Sequence, residues 1–174
     1  MKKIFTTAAM LFVATLFARS ATAEVIPDAG YIYSPLLLTD LTLGCVQEAP
    51  SGTFVGRGPG FTGNAQSIVF VTEGGIESVV ATGFNSISDC KYDAGTDTLY
   101  VSDNALEAIG AVTGDTLFAI TAASSAPGVT ALGNELVAAG SLPFAAGVTL
   151  DAGGAVYVGN AAGGSTGAVL QVTG

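Results

Sequence analysis

Histidine and tryptophan are absent from this 174-residue chain, and basic residues are almost absent. Without histidine, a Ser-His-Asp or Cys-His catalytic set and a histidine-ligated zinc are excluded. No G-x-S-x-G nucleophile elbow occurs. Five Lys+Arg stand against 14 Asp+Glu, a formal net charge of −9. That surface repels phosphate backbones and anionic bilayers, which argues against nucleic acid as a partner. Charged residues make up only 11% of the chain and apolar residues 49%. This is the balance of a packed domain, not of a disordered acidic tail.

What is present begins with a leader-like N-terminus. Lys2 and Lys3 precede the apolar "IFTTAAMLFVATLF", and Ala21 and Ala23 supply an A-x-A site. The pattern predicts a signal peptide over residues 1–23, cut after Ala23, and a secreted or periplasmic protein with no membrane attachment after cleavage. The apolar run is too short for a retained span. "LTLGC" (Leu41–Cys45) resembles a lipoprotein box, but Thr42 sits where a large aliphatic is needed. Cleavage removes Lys2, Lys3 and Arg19, leaving 174 − 23 = 151 residues, a net charge of 2 − 14 = −12, and Arg57 and Lys91 as the only cations. This length suits one domain. Residues 24–43 read as a lead-in containing one strand, "YIYSPLLLTD" (Tyr31–Asp40). Cys45 and Cys90 are the only cysteines. An even count in an oxidising compartment predicts a disulfide between them, with two buried thiols as the alternative. The bridge would contribute about 3–4 kcal/mol through chain entropy.

Beyond the lead-in, short apolar runs alternate with Gly/Asp/Ser/Asn turns: "SIVFVT", "ESVVAT", "TLYVS", "TLFAIT", "ELVAA", "GVTLD", "AVYVG" and "VLQVT". Runs this short and β-branched predict strands. Only "NALEAIGAV" (Asn104–Val112) suggests a helical turn. Three segments share a template: "GCVQEAPSGTFVG", "DCKYDAGTDTLYVS" and "AGVTLDAGGAVYVG". Each is a strand, an acid, a tight turn and a second strand. Glu48, Asp93 and Asp151 align as acids that would lock the turn by accepting its N–H groups. Phe54, Tyr100 and Tyr157 align as wedge-filling aromatics, and Cys45, Cys90 and Gly147 share one place. A third strand follows each hairpin, and a fourth follows two of them. The predicted fold is all-β, a β-propeller-like stack of four-stranded antiparallel blades in an incomplete ring, with blades over 44–83, 87–140 and 145–174. An antiparallel sandwich is the runner-up.

"GVTLDAGGAVYVGN" resembles the core of a blade of the NHL-type or SMP-30/gluconolactonase-like propellers. "DCKYDAGTDTLYVSDN" is similar without the leading Gly-Val, and "GCVQEAPSGTFVG" is weaker. The resemblance spans roughly Gly44 to the end. It implies a ring of about 4–8 blades, more than three, so the chain is expected to be a fragment of a longer propeller or to associate through its exposed blade faces. It also implies rim loops that bind a protein, a small molecule or a glycan. The lactonases of this type hold a divalent metal with Glu, Asn and Asp drawn from several blades.

Asp93, Asp97, Asp103 and Asn104 crowd into the thirteen residues of "YDAGTDTLYVSDN" (Tyr92–Asn104), but their spacing is not that of an EF-hand. Asp93 belongs to the turn and Asp97 to a solvated loop tip. Asp103, Asn104 and Asn160 end second strands at one rim, and Asp89 starts an inner strand. These four are the ligand candidates, with Asp89 and Asp103 the acids to consider for a metal. Calcium is the cofactor such oxygen donors would suit. Arg57 reads as a solvated loop cation. The expected function is an exported binding or scaffold module working through rim loops. The alternative is a metal-dependent lactonase or hydrolase, complete only in a full ring.

Overall fold

The structure is a computed structural model that describes residues 42–59, 63–105, 110–161 and 167–173. The predicted signal peptide, the predicted Tyr31–Asp40 strand and the core of the predicted helical turn lie outside these residues. Within them the chain is all-β, apart from one 3-10 turn at Ala123–Ser125.

Three antiparallel meanders follow one another. The first runs β1 (Thr42–Ala49), β2 (Gly52–Arg57), β3 (Gln66–Thr72) and β4 (Glu77–Phe84). The second runs β5 (Ile87–Asp93), β6 (Thr98–Asp103), β7 (Thr116–Thr121) and β9 (Glu135–Val137). The third runs β10 (Ala145–Leu150), β11 (Val156–Asn160) and β12 (Ala168–Val172). The two-residue β8 (Val129–Thr130) leaves the second meander and pairs in parallel with β4, Ala81 opposite Val129. The first sheet therefore has five strands, the second four and the third three among the described residues, not four throughout. None of the sheets closes on itself.

Each first strand breaks register at the same place, opposite the end of the second strand. The irregularities fall between Thr42 and Val46, Ile87 and Asp89, and Ala145 and Val148. Bulges of this kind sharpen twist and aim the strand ends away from the sheet. In β1 the irregular stretch holds one residue more than in β5 or β10. Thr42 to Val46 spans four steps, whereas Ile87 to Cys90 and Ala145 to Val148 span three. Counted from the hairpin, Glu48 is therefore the counterpart of Tyr92 and Leu150, and Val46 the counterpart of Cys90 and Val148.

The second sheet is covered on both faces, so "TLYVSD" is buried almost without alternation. One core joins it to the first sheet: Phe54, Ile68, Phe70, Val80 and Phe84 meet Leu99, Val101, Phe118 and Ile120. The Phe54 ring lies 4.9 Å from both Phe70 and Tyr92, and Phe84 meets Phe118 edge-on at 5.3 Å. Such tilted pairs add to burial, which is worth about 1.5–3 kcal/mol for each large apolar side chain. A second core joins the second sheet to the third, with Leu117 against Leu142, Val148, Val156 and Val158, and Tyr100 at its margin. Phe54 and Tyr100 thus fill successive gaps. Tyr157, their counterpart, is half-exposed and donates its hydroxyl to Asp151 Oδ2 at 3.3 Å.

The first strands sit side by side, with β5 lying against β1 on one flank and β10 on the other. Cys45 and Cys90 form a disulfide with a Cα–Cα distance of 5.0 Å, tying β1 to β5 in the buried interior. The two backbones approach so closely that a Cβ on Gly44 would stand 2.3 Å from the Ser88 carbonyl oxygen.

Candidate functional site

The hairpin ends account for two acids and not the third. Asp93 Oδ1 accepts the Gly95 N–H at 2.8 Å, and Oδ2 accepts the Thr96 hydroxyl at 2.7 Å. Asp151 Oδ1 accepts the N–H groups of Gly153 and Ala155 at 2.8 and 2.9 Å. The Thr96 hydroxyl and Gly95 N–H lower the Asp93 carboxyl, and the Ala155 and Gly153 N–H groups do the same for Asp151. Glu48, set one place back by the longer bulge of β1, lies in the strand opposite Thr53. Its turn is Pro50–Ser51, where Ala49 faces Gly52 directly. No described group hydrogen-bonds its carboxylate.

Asp97 is not a solvated tip. Its Oδ1 accepts the Tyr92 hydroxyl and the Ser124 N–H, and Oδ2 the Ser124 hydroxyl, each at 2.9 Å. Its carbonyl accepts the Ala123 N–H at 3.0 Å. Burial alone would raise the carboxyl, but the Ser124 N–H and the two hydroxyls outweigh it and hold it below the ordinary range. Asp97 pins the 3-10 turn that follows β7. Arg57 is not a loop cation either: it ends β2, is buried, and pairs with Glu77 at 2.8 Å.

At the opposite end, second strands finish beside the starts of first strands. Asp103 is fully buried there. Its Oδ2 accepts the Asn85 N–H at 2.9 Å and the Thr113 hydroxyl at 3.3 Å, and Oδ1 accepts the Ser86 N–H at 2.5 Å. Burial pushes the Asp103 carboxyl up, those three donors pull it back, and the nearby Asp115 charge adds to the rise. Asp103 faces inward and straps the connection from β4 to β5. The Asn104 N–H donates to the Ser86 carbonyl at 2.8 Å, and its Oδ1 accepts the Ala105 N–H at 2.6 Å. The third sheet repeats the backbone clasp: Ala161 N–H donates to the Phe144 carbonyl at 3.1 Å, beside Asn160, which ends β11 opposite Ala145.

Asp115 and Phe144 were not legible as site residues. Asp115 Oδ1 accepts the N–H groups of Ala105 and Phe144 at 3.2 and 3.1 Å, tying two rim loops together. Ala105, Asp115 and Phe144 all hold left-handed backbone, at φ 62°, 49° and 56°. Such angles are uncommon outside glycine and cost most for bulky residues. Outliers of this kind cluster at functional sites.

Asp89 lies at the same end, on the seam between the second and third sheets. Its Oδ1 accepts the Cys90 N–H at 2.8 Å, and Oδ2 reaches across to accept the Val148 N–H at 2.9 Å. The Ser102 hydroxyl reinforces the seam by donating to the Ala146 carbonyl. Where β5 and β10 part, a cleft of about 410 Å³ opens. Ser88, Asp89, Asn104, Phe144, Ala145–Gly147 and Ala161 line it. Two of the four sequence candidates, Asp89 and Asn104, thus meet in one cleft. Asp103 is sealed beneath the rim, and Asn160 is outside the cleft wall.

No group of three or more His, Cys, Asp or Glu side chains among the described residues could hold a metal ion. Asp89 and Asp103 are accordingly not joined in such a group. No helix among them is long and apolar enough to cross a membrane, and the disulfide is consistent with an oxidising environment. No protein family, curated protein or solved structure matches this chain.

Proposed function

We propose that this protein is an exported binding module of β-propeller type whose recognition site is the rim cleft between β5 and β10. Three meanders in series, with first strands adjacent and bulged at one position, support the propeller reading. The observation that carries the binding reading is the cleft itself. There an anchored carboxylate and a side-chain amide line the same cleft as Phe144, a residue that is 55% exposed. Pockets that bind small groups combine apolar lining with a few placed polar atoms in this way. Nothing nucleophilic lines it beyond the Ser88 hydroxyl, and among the described residues no hydrogen bond joins that hydroxyl to the neighbouring Asp89 carboxylate, whose oxygens accept the Cys90 and Val148 N–H groups. The work proposed is therefore recognition rather than turnover.

The test is a ligand screen on ¹⁵N-labelled mature protein. Binding should shift the backbone amides of Ser88, Asn104, Ala146 and Gly147 first, and EDTA should leave these spectra unchanged. Ligands that shift only the Glu48–Thr53 hairpin, or spectra that collapse on chelation, would overturn the reading.

A further inference from the structure

We infer that the cleft between β5 and β10 takes an organic cation, an alkylammonium group seated between the Asp89 carboxylate and the Phe144 ring. This rests on the reading of the cleft as the binding site. Each Asp89 oxygen accepts one main-chain N–H, from Cys90 and from Val148, which fixes the carboxylate and leaves each oxygen further acceptor capacity. No described cation neutralises it. Arg57 is committed to Glu77, and Lys91, two residues along β5, makes no ion pair with Asp89. The Asn104 amide uses its oxygen on Ala105 N–H, while its NH₂ has no partner among the described residues.

Phe144 is anomalous twice over. The residue is 55% exposed, and its backbone stands at φ 56°, where glycine would be unstrained. The Asp115 carboxylate holds it there through the Phe144 N–H. A bulky ring kept exposed and strained on a cleft wall is explained if the ring has something to bind. A carboxylate and an aromatic face together suit a cation, which the ring attracts through its quadrupole. The chain's net charge of −9 draws cations and repels anions at long range.

The probes are n-butylammonium, its neutral counterpart n-butanol, its anionic counterpart butyrate, and a blocked Gly-Lys-Gly peptide, each titrated into the intact mature protein with backbone amide shifts as readout. Butylammonium should shift Ser88, Asn104 and Ala146, and butyrate should not. Tighter binding of the peptide would identify a lysine side chain of a protein partner as the source; tighter binding of the free amine, a small metabolite. Phe144→Gly should weaken butylammonium binding about threefold to tenfold, the effect of one cation–π contact. It should leave the folded spectrum intact, because the backbone angle suits glycine. Butanol binding as well as butylammonium would overturn the cation assignment while leaving the cleft as the site. Silence of the cleft amides with all four probes would overturn both.

Discussion

Asp97 offers the sharpest test of how the rigid end of the second sheet is held. Its carboxylate receives three hydrogen bonds, from the Tyr92 hydroxyl and from the Ser124 N–H and hydroxyl. Bonds to a charged acceptor are worth about 1.5–3 kcal/mol each when shielded. Asp97 is only half-buried, so water recovers part of each. Asp97 also holds φ 51°, which Asp tolerates better than Ala. Asp97→Ala should therefore destabilise the protein by about 2–3 kcal/mol, lowering the melting point by roughly 5–10 °C for a chain of this size. Asp97→Gly isolates the hydrogen-bond part, because it relieves the backbone angle while losing the carboxylate. Asp97→Asn keeps one acceptor and should fall between wild type and Ala. The pH dependence has a fixed sign. The folded-state carboxyl lies below its ordinary 3.8, so its contribution is present above pH 3.8 and is lost as pH falls through the folded value. The gap between wild type and Asp97→Ala in urea denaturation should therefore be full at pH 6 and shrink below pH 3.8. An Asp97→Ala change within about 0.5 kcal/mol of wild type, the range of ordinary surface substitutions, would return Asp97 to the solvated tip that its sequence position suggests.

Three further outcomes follow from the β1–β5 seam. Replacing Cys45 and Cys90 together by serine opens a loop of 45 residues and should lower stability by about 4 kcal/mol. The unreduced native protein should weigh two hydrogens less than its reduced form, and an unchanged mass would refute the bridge. Gly44→Ala puts a methyl 2.3 Å from the Ser88 carbonyl. The strands must separate, which should cost about 1–3 kcal/mol in denaturant melts, and a neutral result would show that they are not in close contact.

What the sequence made legible was whatever local composition controls. Apolar runs such as "TLYVS" and "SIVFVT" fall within β6 and β3, and the wedge aromatics Phe54 and Tyr100 lie between sheets. Features set by register were hidden. One extra residue in the β1 bulge displaces Glu48 from the turn, and no residue type announces a bulge of that length. The parallel pairing of β8 with β4 rests on two residues, too few to show a period. Arg57 looked solvated because glycines follow it, but it occupies the end of β2, as Asp103 ends β6 and Asn160 ends β11. Phe144 gives no signal because Phe is not a residue type that favours left-handed backbone, and Asp115, of a type that tolerates it, sits among turn residues where an Asp is unremarkable. The only sequence cue was an aromatic placed among small residues in "SLPFAAG".

The acids separate by how fully the fold uses them, and that separation decides which can meet a ligand. Asp103 spends both oxygens on three donors and has no exposure. Asp97 likewise takes three, and Asp115 spends one oxygen on two loop N–H groups at a nearly buried site. These are struts, whose removal would be felt as lost stability. Asp89 differs, with one donor per oxygen, partial exposure and an open cleft in front. Its neighbour Cys90 fixes β5 covalently to β1, so the seam to β10 depends on hydrogen bonds and packing. On the proposed reading, a ligand entering there meets a carboxylate whose position is already set by the disulfide on one side and by Val148 on the other. Little ordering remains to oppose binding, which is how a fixed site gains affinity from few contacts.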